Sequence, residues 1–193
     1  MENKNLGVIL KNKFKIIVVG GGHAGLEAAL ASSRMGVETL LITEKISGIG
    51  ELACNPSIGG VGKGHLVKEI DAMGGGIGIF ADSSGINFKL LNLSKGYAVQ
   101  STRIQVDRSI YKNIVSKYIG QIKNLSILQQ SVVNIVIKNN SINHIITKND
   151  IKIYCNALIL TLGTFLNGKI FIGNLNYRGG RIIFYNYVYY WLL

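Results

Sequence analysis

Proline is nearly missing from this chain: Pro56 is the only one in 193 residues. That excludes a proline-rich linker or a polyproline ligand segment. Cysteine is almost as scarce. Cys54 and Cys155 cannot build a disulfide framework, and no Cys/His spacing suggests zinc or another metal. A reducing, cytoplasmic setting is the expectation. The three histidines, His23, His65 and His144, are too scattered to argue for a Ser/His/Asp triad. No apolar run approaches the roughly 18 residues that span a bilayer, so no membrane association is expected. The N-terminus leads into only four apolar residues before a glycine cluster, far short of a secretory signal. Acidic residues are also few, 10 against 21 Lys and Arg, for a formal charge of +11.

What is present can form a core: 48% of residues are hydrophobic and 16% charged. The length suits one domain with an appendage. The positive balance favours polyanions such as nucleic acid or a phosphorylated cofactor. The chain is also rich in Lys, Asn, Ile and Tyr, as AT-biased coding gives. Lysines scattered over solvated faces are therefore an equal reading of the same charge.

The stretch with chemistry in it is Gly20-Gly21-Gly22-His23-Ala24-Gly25. It follows the apolar run Ile16–Val19 and precedes the helix-forming run Leu26–Ala31. Strand, glycine turn and helix in that order give G-x-G-x-x-G its meaning as a dinucleotide loop. Gly20 takes the turn out of the strand, Gly22 admits a pyrophosphate, and Gly25 lets helix and strand pack closely. The helix N-terminus offers free N–H groups and partial positive charge to the phosphates. His23 reads as a residue that caps or packs within the loop, rather than as a general base. Leu26, Ala29, Leu30 and Ser33 form the buried helix face, Gly36 stops the helix, and Val37–Thr43 is the second strand. Glu44 follows that strand about 20 residues past the loop, where an acidic residue binds ribose hydroxyls. The other reading of Glu44 is an exposed turn residue.

The run Cys54-Asn55-Pro56-Ser57-Ile58-Gly59-Gly60-Val61-Gly62-Lys63-Gly64-His65 superficially resembles a phosphate-binding P-loop. It fails that pattern: Ser57 stands for the first glycine, and Gly64 follows Lys63 where Ser or Thr belongs. Cys54 has two readings here. It is a nucleophile or acid activated by Lys63, His65 and helix termini, or a small thiol shaping the loop. His65–Met73 reads as a short helix ended by Gly74-Gly75-Gly76.

Three segments, GGGHAGLEAA, CNPSIGGVGKGHLVKEIDAMGG and SKGYAVQSTRIQVDR, resemble the N-terminal part of one flavoprotein family. This is the flavoprotein subunit of the bacterial tRNA wobble-uridine modification complex, glucose-inhibited division protein A. The resemblance runs from about Phe14 to Arg181. It implies a Rossmann-like α/β FAD-binding domain, with a parallel sheet, helices and a small antiparallel β-meander. It implies FAD at Gly20–Gly25, with Val132 on the adenine side and Thr161-Leu162-Gly163 as a second turn near the cofactor. It also implies NADH, a folate one-carbon donor, a GTPase partner subunit, tRNA and a homodimer. It marks Cys54 as functional without fixing its step. A related folate-dependent tRNA uridine methyltransferase shares the flavin-binding start, but the Cys54–His65 run favours the first family. Tyr97 departs from the proline usual in the family.

The remainder fits that outline. Thr102 and Gln105 match a T-x-x-Q capping box for a helix over about Arg103–Tyr118, burying Ile104, Ile110, Tyr111, Ile114 and Val115. Lys95 and Arg103 flank a loop near the cofactor and are candidate tRNA contacts. Leu125–Gln129, Val132–Ile137, Ile142–Thr147, Ile151–Cys155 and Ala157–Leu162 read as strands, with turns at Asn139-Asn140 and Lys148–Asp150. The expected organisation is a leader over 1–13, the FAD-binding part over 14–181 and a tail over 182–193. The twelve uncharged tail residues read as out-of-frame translation that breaks the family pattern. On that reading the chain is a truncated piece, inactive by itself.

Overall fold

The computed structural model describes residues 11–52 and 54–179 in full, and the backbone of Phe184–Tyr185 and Val188–Tyr189. Those two pairs form short antiparallel strands. Otherwise the tail expected over 182–193, and residues 1–10 of the expected leader, lie outside the described residues. The chain divides into two compact units, with the break after Thr161.

In the first unit, strand β1 (Lys13–Val19) buries its last three residues. Its continuous apolar run gives it two covered faces. Helix α1 (His23–Arg34) buries Leu26, Ala29, Leu30 and Ser33, the face read from spacing. Gly36 ends it with φ +76°, a conformation that favours glycine. Strand β2 (Thr39–Thr43) follows, then β3 (Ser57–Gly59) and helix α2 (Lys63–Ala72). Helix α3 (Ile77–Ser84) leads into strands β4 (Gly85–Leu91) and β5 (Ser101–Val106). Then come helix α4 (Arg108–Gly120) and strands β6 (Leu125–Gln129), β7 (Val132–Lys138), β8 (Ser141–Thr147) and β9 (Lys152–Leu160).

The main sheet runs β6-β2-β1-β9-β8-β7. The first four strands are parallel, and β8 and β7 continue the sheet antiparallel. This is the Rossmann-like α/β fold expected. The meander is hydrogen-bonded into the nucleotide-loop sheet through β9, which fuses two strands read separately. Asn139 and Asn140, with φ of 50° and 57°, make the tight turn between β7 and β8.

Each face of the sheet has its own core. Val18 and Leu41 pack with Leu26, Leu30, Phe80 and Tyr111 from the helices. Phe80 sits edge-on to Tyr118 at 5.2 Å and to Tyr111 at 6.2 Å, favourable aromatic geometry. On the other face Ile17, Leu40 and Ile42 meet Ile145, Ile153 and Cys155. Cys155 is a core thiol, and burial pushes it up from its ordinary pKa.

The expected Thr102 capping box is overturned. Residues 101–106 are strand β5, the centre of a second sheet ordered β3-β5-β4. The helix begins later, and Asp107 caps it by accepting from the Ile110 N–H at 2.8 Å. Ser-Thr-Arg-Ile-Gln-Val alternates with period two, and that periodicity outweighs a chance match to a cap pattern. Ile104 belongs to the strand, and Ile110 is exposed at 48%. Replacing Asp107 with alanine is expected to cost about 1 kcal/mol. A thermal melt checks this through a Tm lower by roughly 2–4 °C.

In the second unit, β10 (Lys169–Ile172) pairs antiparallel with β11 (Leu175–Arg178).

Candidate functional site

The glycine loop lies at the carboxyl ends of the parallel strands, where open α/β sheets bind ligands. Each of its three motif glycines has a distinct steric reason. Gly20 has φ +114°, and a Cβ on it would stand 2.3 Å from the Thr161 carbonyl oxygen. A Cβ on Gly25 would stand 1.8 Å from the Gly20 carbonyl oxygen. A Cβ on Gly22 would meet no atom of the described residues within 4 Å. That open space lies at the N-terminus of α1, where Gly22 is the cap residue and no side chain among the described residues caps the helix. No acidic residue stands in the first turn to oppose an anion. Gly22 and Ala24 are both exposed. Free N–H groups, a helix dipole and an unfilled cradle suit a phosphate. Gly21 faces Thr43 instead: a Cβ there would stand 2.6 Å from its hydroxyl.

Thr161, read from sequence as part of a turn near the cofactor, holds this loop, and Glu27, which sequence reasoning missed, ties the helix that follows it to α3. Thr161 Oγ1 donates to the carbonyls of Val19 at 2.9 Å and Gly20 at 3.2 Å. Glu27, on the second turn of α1, accepts from the N–H groups of Gly76 and Ile77 and thereby caps α3. His23 packs as expected, with its Nε2 3.1 Å from the Tyr111 hydroxyl. Burial, and secondarily the charge of Lys63, lowers the His23 pKa. Burial, and secondarily Glu27, raises that of Tyr111 well beyond its ordinary value. Both groups stay neutral near pH 7, so the positive potential at the loop comes from backbone N–H groups.

Glu44 and Val132 come together beside the loop. Ser131, between β6 and β7, donates from Oγ to Glu44 at 3.0 Å, and the Gln130 N–H bonds to Thr43. Val132 is half-buried at the start of β7. Gly163 has the positive φ of a turn glycine, +68°, and belongs to the second unit.

Cys54 is exposed. Its carbonyl accepts from Arg108, and it lines a cleft of about 410 Å³ with His23, Glu51, Lys63 and Arg103. His65 does not line that cleft, and its Nδ1 is buried without a partner among the described residues. His144 is also structural, buried against Asn143 and Tyr154. No three His, Cys, Asp or Glu side chains gather to hold a metal among the described residues. No helix among them is long and apolar enough to cross a membrane.

Sheet order, loop sterics and the free helix terminus define a Rossmann-like protein with a dinucleotide loop. A family model described as glucose inhibited division protein A matches residues 15–186. GidA of Aquifex aeolicus superposes with a TM-score of 0.81 in each of two crystal forms, at 44% and 45% identity. Those alignments cover 89% and 86% of this chain, and 28% of the GidA chain in each case. This chain belongs to the glucose inhibited division protein A family. The GidA-related protein from Thermus thermophilus shares the fold at 12% identity and a TM-score of 0.53, over 84% of this chain and 59% of its own. PqsL of Pseudomonas aeruginosa does so at 11% and 0.58, over 79% and 43%.

Proposed function

We propose that this chain is the FAD-binding part of a flavoprotein that modifies the wobble uridine of tRNA. The observation that carries the reading is the open Gly22 position at the uncapped N-terminus of α1, set within a family match over residues 15–186. The loop N–H groups would hold the pyrophosphate. Glu44, already tied to Ser131, would accept from the ribose hydroxyls, with Val132 beside the adenine. FAD, when bound, supplies the redox step of the reaction. NADH as reductant, a folate one-carbon donor, a GTPase partner subunit, a homodimer and a cytoplasmic setting complete the proposal. Cys54, in a cleft with Lys63 and Arg103, is assigned to act on the uridine or a flavin adduct as nucleophile or acid. The chain spans 28% of the Aquifex protein, so the whole reaction is assigned to the complete enzyme. Nucleotide binding is the activity assigned to these residues by themselves.

The test is the visible spectrum of the purified chain, followed by titration with FAD. A yellow protein, or saturable FAD uptake, is the expected result. A colourless chain that takes up no FAD overturns the reading.

A further inference from the structure

The β3-β5-β4 sheet has two unlike faces. Ile58, Ile104 and Phe88 form one cross-strand row, and Ile58 belongs to the helix-side core. The opposite face carries two polar rows, Ser57–Gln105–Asn87 and Gly59–Arg103–Lys89. Lys89 and Arg103 therefore stand directly across from each other on neighbouring strands. Like charges so placed repel. Neither forms an ion pair or side-chain hydrogen bond among the described residues. The arrangement costs stability unless an anion lies between or along the two cations.

The geometry also connects this face to the Cys54 cleft. Lys89 and Arg103 line a groove of about 310 Å³ with Asn87, Leu91 and Gln105. Arg103 lines the Cys54 cleft as well, where Lys63 adds a third cation. On its other side Arg103 faces Gly59, which has φ +89° and whose Cβ would stand 2.1 Å from the Thr102 carbonyl oxygen. A glycine is required there, and Gly59 and Arg103 together line the Cys54 cleft. The loop between β4 and β5 adds Lys95 and Tyr97, the latter 90% exposed. Cations spread over two joined clefts, with an exposed aromatic ring nearby, suit a single nucleic-acid strand: phosphates held by charge and bases by stacking.

We propose that Lys89 and Arg103 are phosphate contacts for a single-stranded RNA segment that crosses this sheet face and leads a base into the Cys54 cleft. Asn87 and Gln105 offer amides along the path, and Tyr97 offers a stacking surface. The inference rests on the tRNA-modification reading for its choice of RNA. Both residues are positioning residues, because phosphate contacts fix register and carry no sequence information.

The experiment is fluorescence anisotropy of the full chain with a labelled RNA hairpin bearing a uridine-containing loop, repeated over a salt series. Lys89→Ala and Arg103→Ala are each expected to weaken binding by about three- to tenfold and to flatten log K against log salt by roughly 0.7–1. Arg103→Lys should keep the slope, and Lys138→Ala, on the β7–β8 hairpin, should change neither value. Lys89→Gln with Arg103→Gln keeps most of the side-chain bulk on the sheet and must flatten the slope as the alanine pair does, with parent circular dichroism. A double variant with parent affinity and slope overturns the proposal. So does a loss seen only for NADH or inorganic phosphate, which would make this a small-molecule phosphate site. FAD uptake is read on the same samples. If the parent takes up no FAD but RNA binding responds as stated, the flavin reading fails and this one stands.

Discussion

Alanine at Gly25 is expected to weaken FAD binding by about 100-fold and to lower stability by about 2–3 kcal/mol. The added Cβ would stand 1.8 Å from the Gly20 carbonyl oxygen and 2.6 Å from Thr161 Oγ1. The first contact is with backbone, so no side-chain rotation relieves it. The loop must move, and on the proposed function the loop N–H groups are what would hold the phosphates. Gly22→Ala is the informative contrast. Its φ of −67° suits any residue, and its Cβ has open space. Stability should hold or rise slightly, as glycine replacement at a compatible conformation does. FAD binding should still fall, because the methyl takes the ligand's place. FAD fluorescence titration paired with a thermal melt separates the two outcomes. Parent-like FAD affinity in Gly25→Ala would remove the loop from the binding site.

Removal of the Glu27 carboxylate should be the most costly polar change in the first unit. It accepts from Gly76 N at 2.9 Å and from Ile77 N at 2.6 Å, so it serves as the missing cap of α3 from another helix. Gly76 has no capping side chain of its own. A carboxylate at a helix N-terminus gains from both charge-assisted bonds and the dipole. In Glu27→Ala two partly buried N–H groups lose their acceptor, at a cost of about 3 kcal/mol. The melt should then fall by roughly 6–12 °C. Glu27→Gln keeps an acceptor without the charge and should lie between the two. A Glu27→Ala melt within about 2 °C of the parent, on the order of the noise expected for a neutral surface change, would show that α3 is held by its apolar face alone. That face includes Phe80, fully buried.

Local sterics made the glycine loop readable. Gly20 turns the chain with a positive φ, and Gly25 packs against the Gly20 carbonyl, both as spacing implied. The β1 and β2 runs were legible for a similar reason, since buried parallel strands carry near-continuous apolar stretches. Segment 101–120 shows where local pattern misleads. Thr102 and Gln105 match a cap, yet the strand needs partners at 57–59 and 85–91 before its alternation has a use. Glu27 reads as an ordinary helix former because its partners lie 49 and 50 residues away. The opposition of Lys89 and Arg103 depends on a register that no short window contains. Cys54 could be placed in a reactive-looking loop, but its cleft companions came from β3, α2 and β5 together.

Thr161 has a further implication, for the order in which the fold is made. Its hydroxyl closes the loop from 142 and 141 residues further along the chain. The ribosome finishes the G-x-G-x-x-G motif early, but β9 must emerge and insert beside β1 before the turn is pinned. Such distant pairing is slow to form. Until then the nascent chain carries the motif without the clasp that shapes it, and the loop takes its final form only at the end of synthesis of this unit.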